Sequence, residues 1–204
     1  MENRINQSVI PQRTLYSGEK IPCMGLGTFG SDKYGADVVS EAVYGAIKYG
    51  YRLIDCAAVY QNEAQIGQVL GRLFEEGAVE RQELFITSKV WNDRHGEGEV
   101  IASCKKSLAD LGLEQIDLYF VHWPFPNYHA PGCGGDSRNP DSRPFSVEEF
   151  MATWRQCEEL VERLVRWNIH PEDLITHEFP LDKAAEAYSL MAGGQCGKVA
   201  VVFD

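Results

Sequence analysis

Apolar residues along this chain follow two rhythms that trade places repeatedly. YRLIDCAA at 51–58, ELFITSKV at 83–90 and IDLYFVHWP at 116–124 are short, nearly continuous apolar runs, the pattern of buried strands. Between them, apolar residues fall three and four apart, the spacing of one helix face. The stretch 37–50 carries Val38, Val39, Ala42, Val43, Ala46 and Ile47 in one stripe, with Gly50 placed as a C-cap. The stretch 62–77 turns in Ile66, Val69, Leu70, Leu73 and Phe74, and 99–112 turns in Val100, Ile101, Cys104, Leu108 and Leu111. SVEEFMATWRQCEELVERLV at 146–165 opens on a capping box, Ser146 with Glu149, and its stripe runs Phe150, Trp154, Cys157, Val161 and Leu164. Ahead of these, TLYSGEKIP reads as a hairpin with Gly18 in its turn, and MGLGTFG as the end of a small-residue strand.

Strand–helix alternation with apolar strands predicts a parallel sheet flanked by helices, in about four units. The polar residues that close the strands are Asp55, Lys89 and His122, spaced 34 and 33 residues apart. That spacing is one strand–helix unit of ~30 residues or more. Residues recurring once per unit at the same strand end lie side by side on one rim, and a parallel barrel works at its C-terminal rim. Tyr60 follows Asp55 by five residues.

Such a ring has a chemistry. A tyrosine donates its proton poorly near neutrality, with a reference pKa of about 10. A neighbouring ammonium, Lys89, favours phenolate, and Asp55 keeps Lys89 charged and oriented. His122 can hydrogen-bond a substrate oxygen at the same place. Together they form a general acid for a carbonyl oxygen, a role worth ~10²–10⁴-fold. The partner step needs hydride, which no side chain supplies, so a nicotinamide cofactor is implied.

Composition narrows the partners. The 204 residues carry a net charge of −11, which does not suit a polyanion, and nucleic acid is not expected as a partner. The N-terminal stretch is polar and no segment reads as a membrane span, so a cytoplasmic protein is expected. The six cysteines include no C-x-x-C pair, so no metal site is indicated and free thiols are expected. His95, His129, His170 and His177 read as surface or packing residues, and Glu63 as the start of a helix.

MGLGTFG, RLIDCAAVYQNE, FITSKVWN and LYFVHWP, in that order, strongly resemble the aldo-keto reductases over about residues 12–166. The resemblance implies a (β/α)8 barrel that reduces aldehydes and ketones with NADPH. By it, Tyr60 is the acid–base, Asp55 and Lys89 tune it, and His122 orients the carbonyl. Thr28 and Phe29 border the nicotinamide together with Asp55, and Trp91 and Trp123 border the substrate, a small carbonyl compound. The loop 124–145 takes the place of a substrate-shaping loop.

After Arg166 the family's Ser-Asn pair and phosphate-gripping motifs do not follow. LITHEFPLDKAAEAYSLMAGGQCGKVAVVF resembles instead the C-terminal end of medium-chain, often zinc-dependent, alcohol dehydrogenases: a strand, a helix capped by Asp182 and stopped at Gly193, and a final strand. The expected fold is therefore α/β, a partial (β/α)8 TIM barrel of about four units over residues 1–166, with a short strand–helix–strand tail over 167–204. A partial barrel leaves sheet edges open, which invites a homo-oligomer through the open edge. It also predicts weak or lost NADPH binding, and an alternative in which the chain is a catalytically silent oligomerising or binding module.

Overall fold

The computed structural model describes residues 10–15, 18–30, 33–129, 139–140, 142, 144–165, 175–180, 183, 186 and 198–202. The chain divides into two compact units. One holds 1–11 and 22–160, the other 12–21 and 161–204.

In the first unit, β3 (Leu26–Gly27), β4 (Leu53–Asp55), β5 (Phe85–Val90) and β6 (Leu118–Val121) form one four-stranded sheet in sequence order. All three pairings are parallel, with Gly27 opposite Asp55, Asp55 opposite Thr87, and Lys89 opposite Phe120. Each crossover passes through one helix: α1 (Ala36–Tyr49), α2 (Glu63–Glu75) and α3 (Glu99–Leu111). Parallel strands laid down side by side in chain order are the progression of a (β/α) barrel, here over four strands. A fourth helix, α4 (Val147–Val165, its residues from Val161 on counted with the second unit), follows β6.

Alternation along each strand sorts the side chains. Ile54 and Ile86 are fully buried in the layer between sheet and helices, against Val43, Ile47, Ile66, Leu70 and Leu73. Asp55, Thr87 and Lys89 therefore share the opposite face. The helices form where the apolar spacing placed them. Gly50 ends α1 at φ 116°, a left-handed conformation open to glycine, and its N–H reaches the Ala46 and Ile47 carbonyls. The Glu149 N–H donates to Ser146 Oγ at 3.4 Å, one half of the expected capping box.

Some stripes are narrower than the pattern suggested. Val38 is 58 % exposed and Ala42 is exposed, while Ser40 turns in beside Val43 and Ile47. On α3 the buried face is Val100, Ser103, Ser107 and Leu111, with Ile101, Cys104 and Leu108 at its flank. On α4, Trp154 is 44 % exposed and Thr153 is buried in its place.

In the second unit, β1 (Gln12–Thr14) and β2 (Lys20–Pro22, Pro22 itself counted with the first unit) make a two-stranded sheet. Gly18, at φ 86°, closes it by donating to Leu15 O, and Leu15 N–H reaches Glu19 O. β7 (Ile175–Pro180) and β8 (Lys198–Val202) pair in parallel. Asp182, Gly193 and His170, named above, lie outside the described residues, as does the His177 side chain. No helix among the described residues is long and apolar enough to cross a membrane.

Candidate active site

Asp55 closes β4, and Lys89 sits one residue from the end of β5 on the same face. The Lys89 ammonium donates to both Asp55 carboxylate oxygens at 2.8 Å and to the Cys56 carbonyl at 2.7 Å. Thr87, two residues before Lys89 and so on the same side, gives its hydroxyl to Asp55 Oδ1 at 2.6 Å. The Asp55 carbonyl accepts from both the N–H and the hydroxyl of Thr28, each at 3.0 Å, which ties β3 to β4 at the same end.

Tyr60 ends a single 3₁₀ turn, Ala58–Tyr60, that follows β4. Its ring centroid lies 5.1 Å from Lys89 Nζ, 5.2 Å from the Phe29 ring and 5.9 Å from the His122 ring. The three short contacts of Lys89 go to Asp55 and Cys56, so its ammonium meets Tyr60 at the ring rather than through a hydrogen bond to the phenol. His122 follows β6 directly, with its N–H on the Val90 carbonyl at 3.1 Å. Burial first, and the Lys89 charge second, push the His122 imidazole down to about 4. It is neutral at pH 7, and its Nδ1 is buried without a hydrogen-bond partner.

An aromatic wall continues from there. Trp91 meets His122 edge-on at 4.9 Å and stacks on His129 at 4.7 Å, with Trp123 at 6.4 Å. His129 is 1 % exposed and its Nδ1 lies 2.7 Å from Asn92 Nδ2. His95 is also buried, which pushes it down to about 4. The sequence-named residues Asp55, Tyr60, Lys89, His122, Phe29, Thr28 and Trp91 thus meet at one end of the sheet, with Trp123 next to Trp91. Sequence reasoning did not single out Thr87, Asn62 or Asn92. It also saw nothing in Glu63 beyond a helix start.

Glu63 does start α2, but it is 4 % exposed and accepts hydroxyls from Ser88 at 2.6 Å and Ser107 at 2.9 Å. Burial raises its carboxyl above the usual range. Two depressions, of about 340 and 310 Å³, lie around α2 and α3 and include Gln61, Ser103 and Lys106. Neither is lined by Asp55, Tyr60, Lys89 or His122, although the second reaches Trp91. Among the described residues no group of His, Cys, Asp and Glu is arranged to hold a metal ion.

The profile of the Aldo/keto reductase family matches residues 23–163. The chain belongs to the aldo/keto reductase family. It is 41% identical over 160 residues to an aldo/keto reductase of Synechocystis, covering 78% of this chain and 47% of that protein. It is 41% identical over 159 residues to aldose reductase B of Dictyostelium discoideum, covering 74% and 50%. The chain therefore spans about half the length of these curated relatives. Among solved structures, the aldo-keto reductase of Bombyx mori in complex with NADP superimposes with a TM-score of 0.62 at 32% identity, over 89% of this chain and 64% of that one. The fold is accordingly α/β, with the parallel sheet of the reductase barrels present in part. The resemblance of residues 167–204 to alcohol dehydrogenases has no counterpart in these matches.

Proposed function

We propose that this chain carries the acid–base rim of an NAD(P)H-dependent reductase acting on a small aldehyde or ketone. The observation that carries the reading is the convergence of Asp55, Lys89, Tyr60 and His122 at one sheet end, with Lys89 Nζ 5.1 Å from the Tyr60 ring. Tyr60 protonates the carbonyl oxygen. The Lys89 ammonium attracts the negative charge that develops on the phenol, and Asp55, itself oriented by Thr87, holds that ammonium in place. His122, neutral at working pH, retains one N–H with which to hold the carbonyl oxygen toward Tyr60.

The mouth fits a flat cofactor ring. Phe29 leaves an apolar ring 58 % exposed beside Tyr60, while the Thr28 next to it is buried and fixed to Asp55. Thr28, Phe29 and Asp55 would hold the nicotinamide end. A nicotinamide dinucleotide supplies, when bound, the hydride that the side chains lack. Trp91 and Trp123 border the substrate.

The second reading is a catalytically silent module that associates through the β3 and β6 edges of the four-stranded sheet, a homo-oligomer. Among the described residues β3 and β6 each pair on one side only, which leaves two sheet edges for such an association. Within this proposal residues 1–166 are the barrel part and 167–204 a tail of medium-chain dehydrogenase type, in a cytoplasmic protein. Aldehyde-dependent NADPH oxidation by the purified chain tests the choice. Turnover above the protein-free background supports the reductase. A background rate, with a dimer or larger species on a sizing column, supports the module.

A further inference from the structure

The buried carboxylate of Glu63 has no part in the acid–base scheme, yet it joins three elements. It is the first residue of α2. One of its oxygens takes the Ser88 hydroxyl from β5, and the other takes the Ser107 hydroxyl from α3. Ser88 immediately precedes Lys89, and strand alternation points it to the helix side while Lys89 points to the mouth. The neighbouring Asn62 is fully buried, and its amide donates to the Thr28 carbonyl at 2.8 Å. Only Gln61 separates this anchored pair from Tyr60, and it holds a left-handed φ of 55° that offers little slack. The turn carrying Tyr60 is thus tied on one side to the Thr28 segment and on the other to the strand carrying Lys89.

A buried carboxylate is a costly filler, since an apolar side chain of similar size would pack there without desolvating a charge. Its value lies in direction: two hydroxyls from two elements fix it in one orientation. We propose that Glu63 is a positioning residue, which through Ser88 and Ser107 sets where the Tyr60 turn sits relative to Lys89. This rests on the reading of Tyr60 as the acid, and it deepens that reading by naming what holds the acid in register. Glu63 touches neither substrate nor cofactor in this scheme.

The test uses the full chain labelled isotopically at tyrosine Cζ, with the Tyr60 resonance assigned by Tyr60→Phe. Variants are Glu63→Ala, the paired Ser88→Ala with Ser107→Ala, and Glu63→Gln, each compared at one fixed pH and checked for folding by circular dichroism. The serine pair removes only two hydroxyls, so it answers the question even where Glu63→Ala does not fold. The Tyr60 resonance shifts or broadens in the serine pair and in Glu63→Ala. It returns to the wild-type position in Glu63→Gln, whose amide still engages both hydroxyls. The Tyr44 resonance, which reports on the other end of α2 through its contacts with Arg72 and Glu76, stays in place throughout. A Tyr60 resonance unmoved in the serine pair, with only the melting temperature lowered, overturns the proposal. Lys89→Met serves separately: an unmoved Tyr60 signal there removes Lys89 as the tuning group but leaves the Glu63 result standing.

Discussion

Replacing Lys89 by methionine removes an ammonium and keeps a side chain of similar reach. Three contacts disappear: two to the Asp55 carboxylate at 2.8 Å and one to the Cys56 carbonyl at 2.7 Å. Hydrogen bonds to charged groups contribute about 1.5–3 kcal/mol each, but two bonds between one ammonium and one carboxylate do not add. Removing one partner of a buried pair costs about 3–5 kcal/mol, whereas an exposed pair is worth ~0–1 kcal/mol. Here the Lys89 side chain is 14% exposed and that of Asp55 39%. Asp55 also keeps the Thr87 hydroxyl at 2.6 Å and regains water on its open side. The cost falls between the limits, at about 2–3 kcal/mol. Urea denaturation of wild type, Lys89→Met, Asp55→Asn and the double variant at pH 7 measures it. A coupling of at least about 1 kcal/mol between the two sites is expected. Strict additivity, with Lys89→Met costing under about 0.5 kcal/mol, would show that the pair is solvent-screened and does not hold the lysine in place.

Three further outcomes follow from the packing and the titrating groups. Burial holds the Glu63 carboxyl above its usual range, so the folded state keeps that proton longer than the unfolded one, and wild-type stability falls as pH rises from about 4.5 through the raised value. Glu63→Gln lacks this term, and its advantage over wild type in urea midpoint grows across that window; parallel curves would contradict it. His122 is pushed down to about 4, so its unfolded form takes up a proton first and stability falls as pH drops from about 6.5 toward 4. His122→Phe flattens that acid limb in part, with His95 supplying a remaining slope. A Cβ on Gly67 would lie 2.2 Å from the Asp110 carbonyl oxygen, so Gly67→Ala forces α2 and α3 apart. It should cost at least about 2 kcal/mol by thermal or urea unfolding, and a neutral result would refute this tight helix contact.

Much of this arrangement is legible in the sequence because periodicity carries it. Continuous apolar runs marked the strands, three-and-four spacing marked the helices, and the even spacing of Asp55, Lys89 and His122 placed them on one rim. Glu63 is different. An acid at the first helical position favours the helix dipole whether it faces water or the interior, so the residue type does not reveal burial. What buries it is Ser88 and Ser107, two small residues distant in sequence that leave room beneath the sheet. His129 was readable only as a surface or packing residue. Its stacking on Trp91 depends on the path of the chain after Pro124, where proline and asparagine set turns rather than a period. The wide stripe assigned to α1 failed at Val38 because a face that touches a sheet takes a narrower arc than apolar spacing alone suggests.

The central claim is that Tyr60 is the proton donor of an assembled rim. The direct measurement is the rate of aldehyde-dependent NADPH oxidation by the wild-type chain against Tyr60→Phe, at equal folded concentration. A fall of ~10²–10⁴-fold in the variant is the predicted result. Equal rates in the two proteins would contradict it, for a ring without its hydroxyl cannot donate the proton.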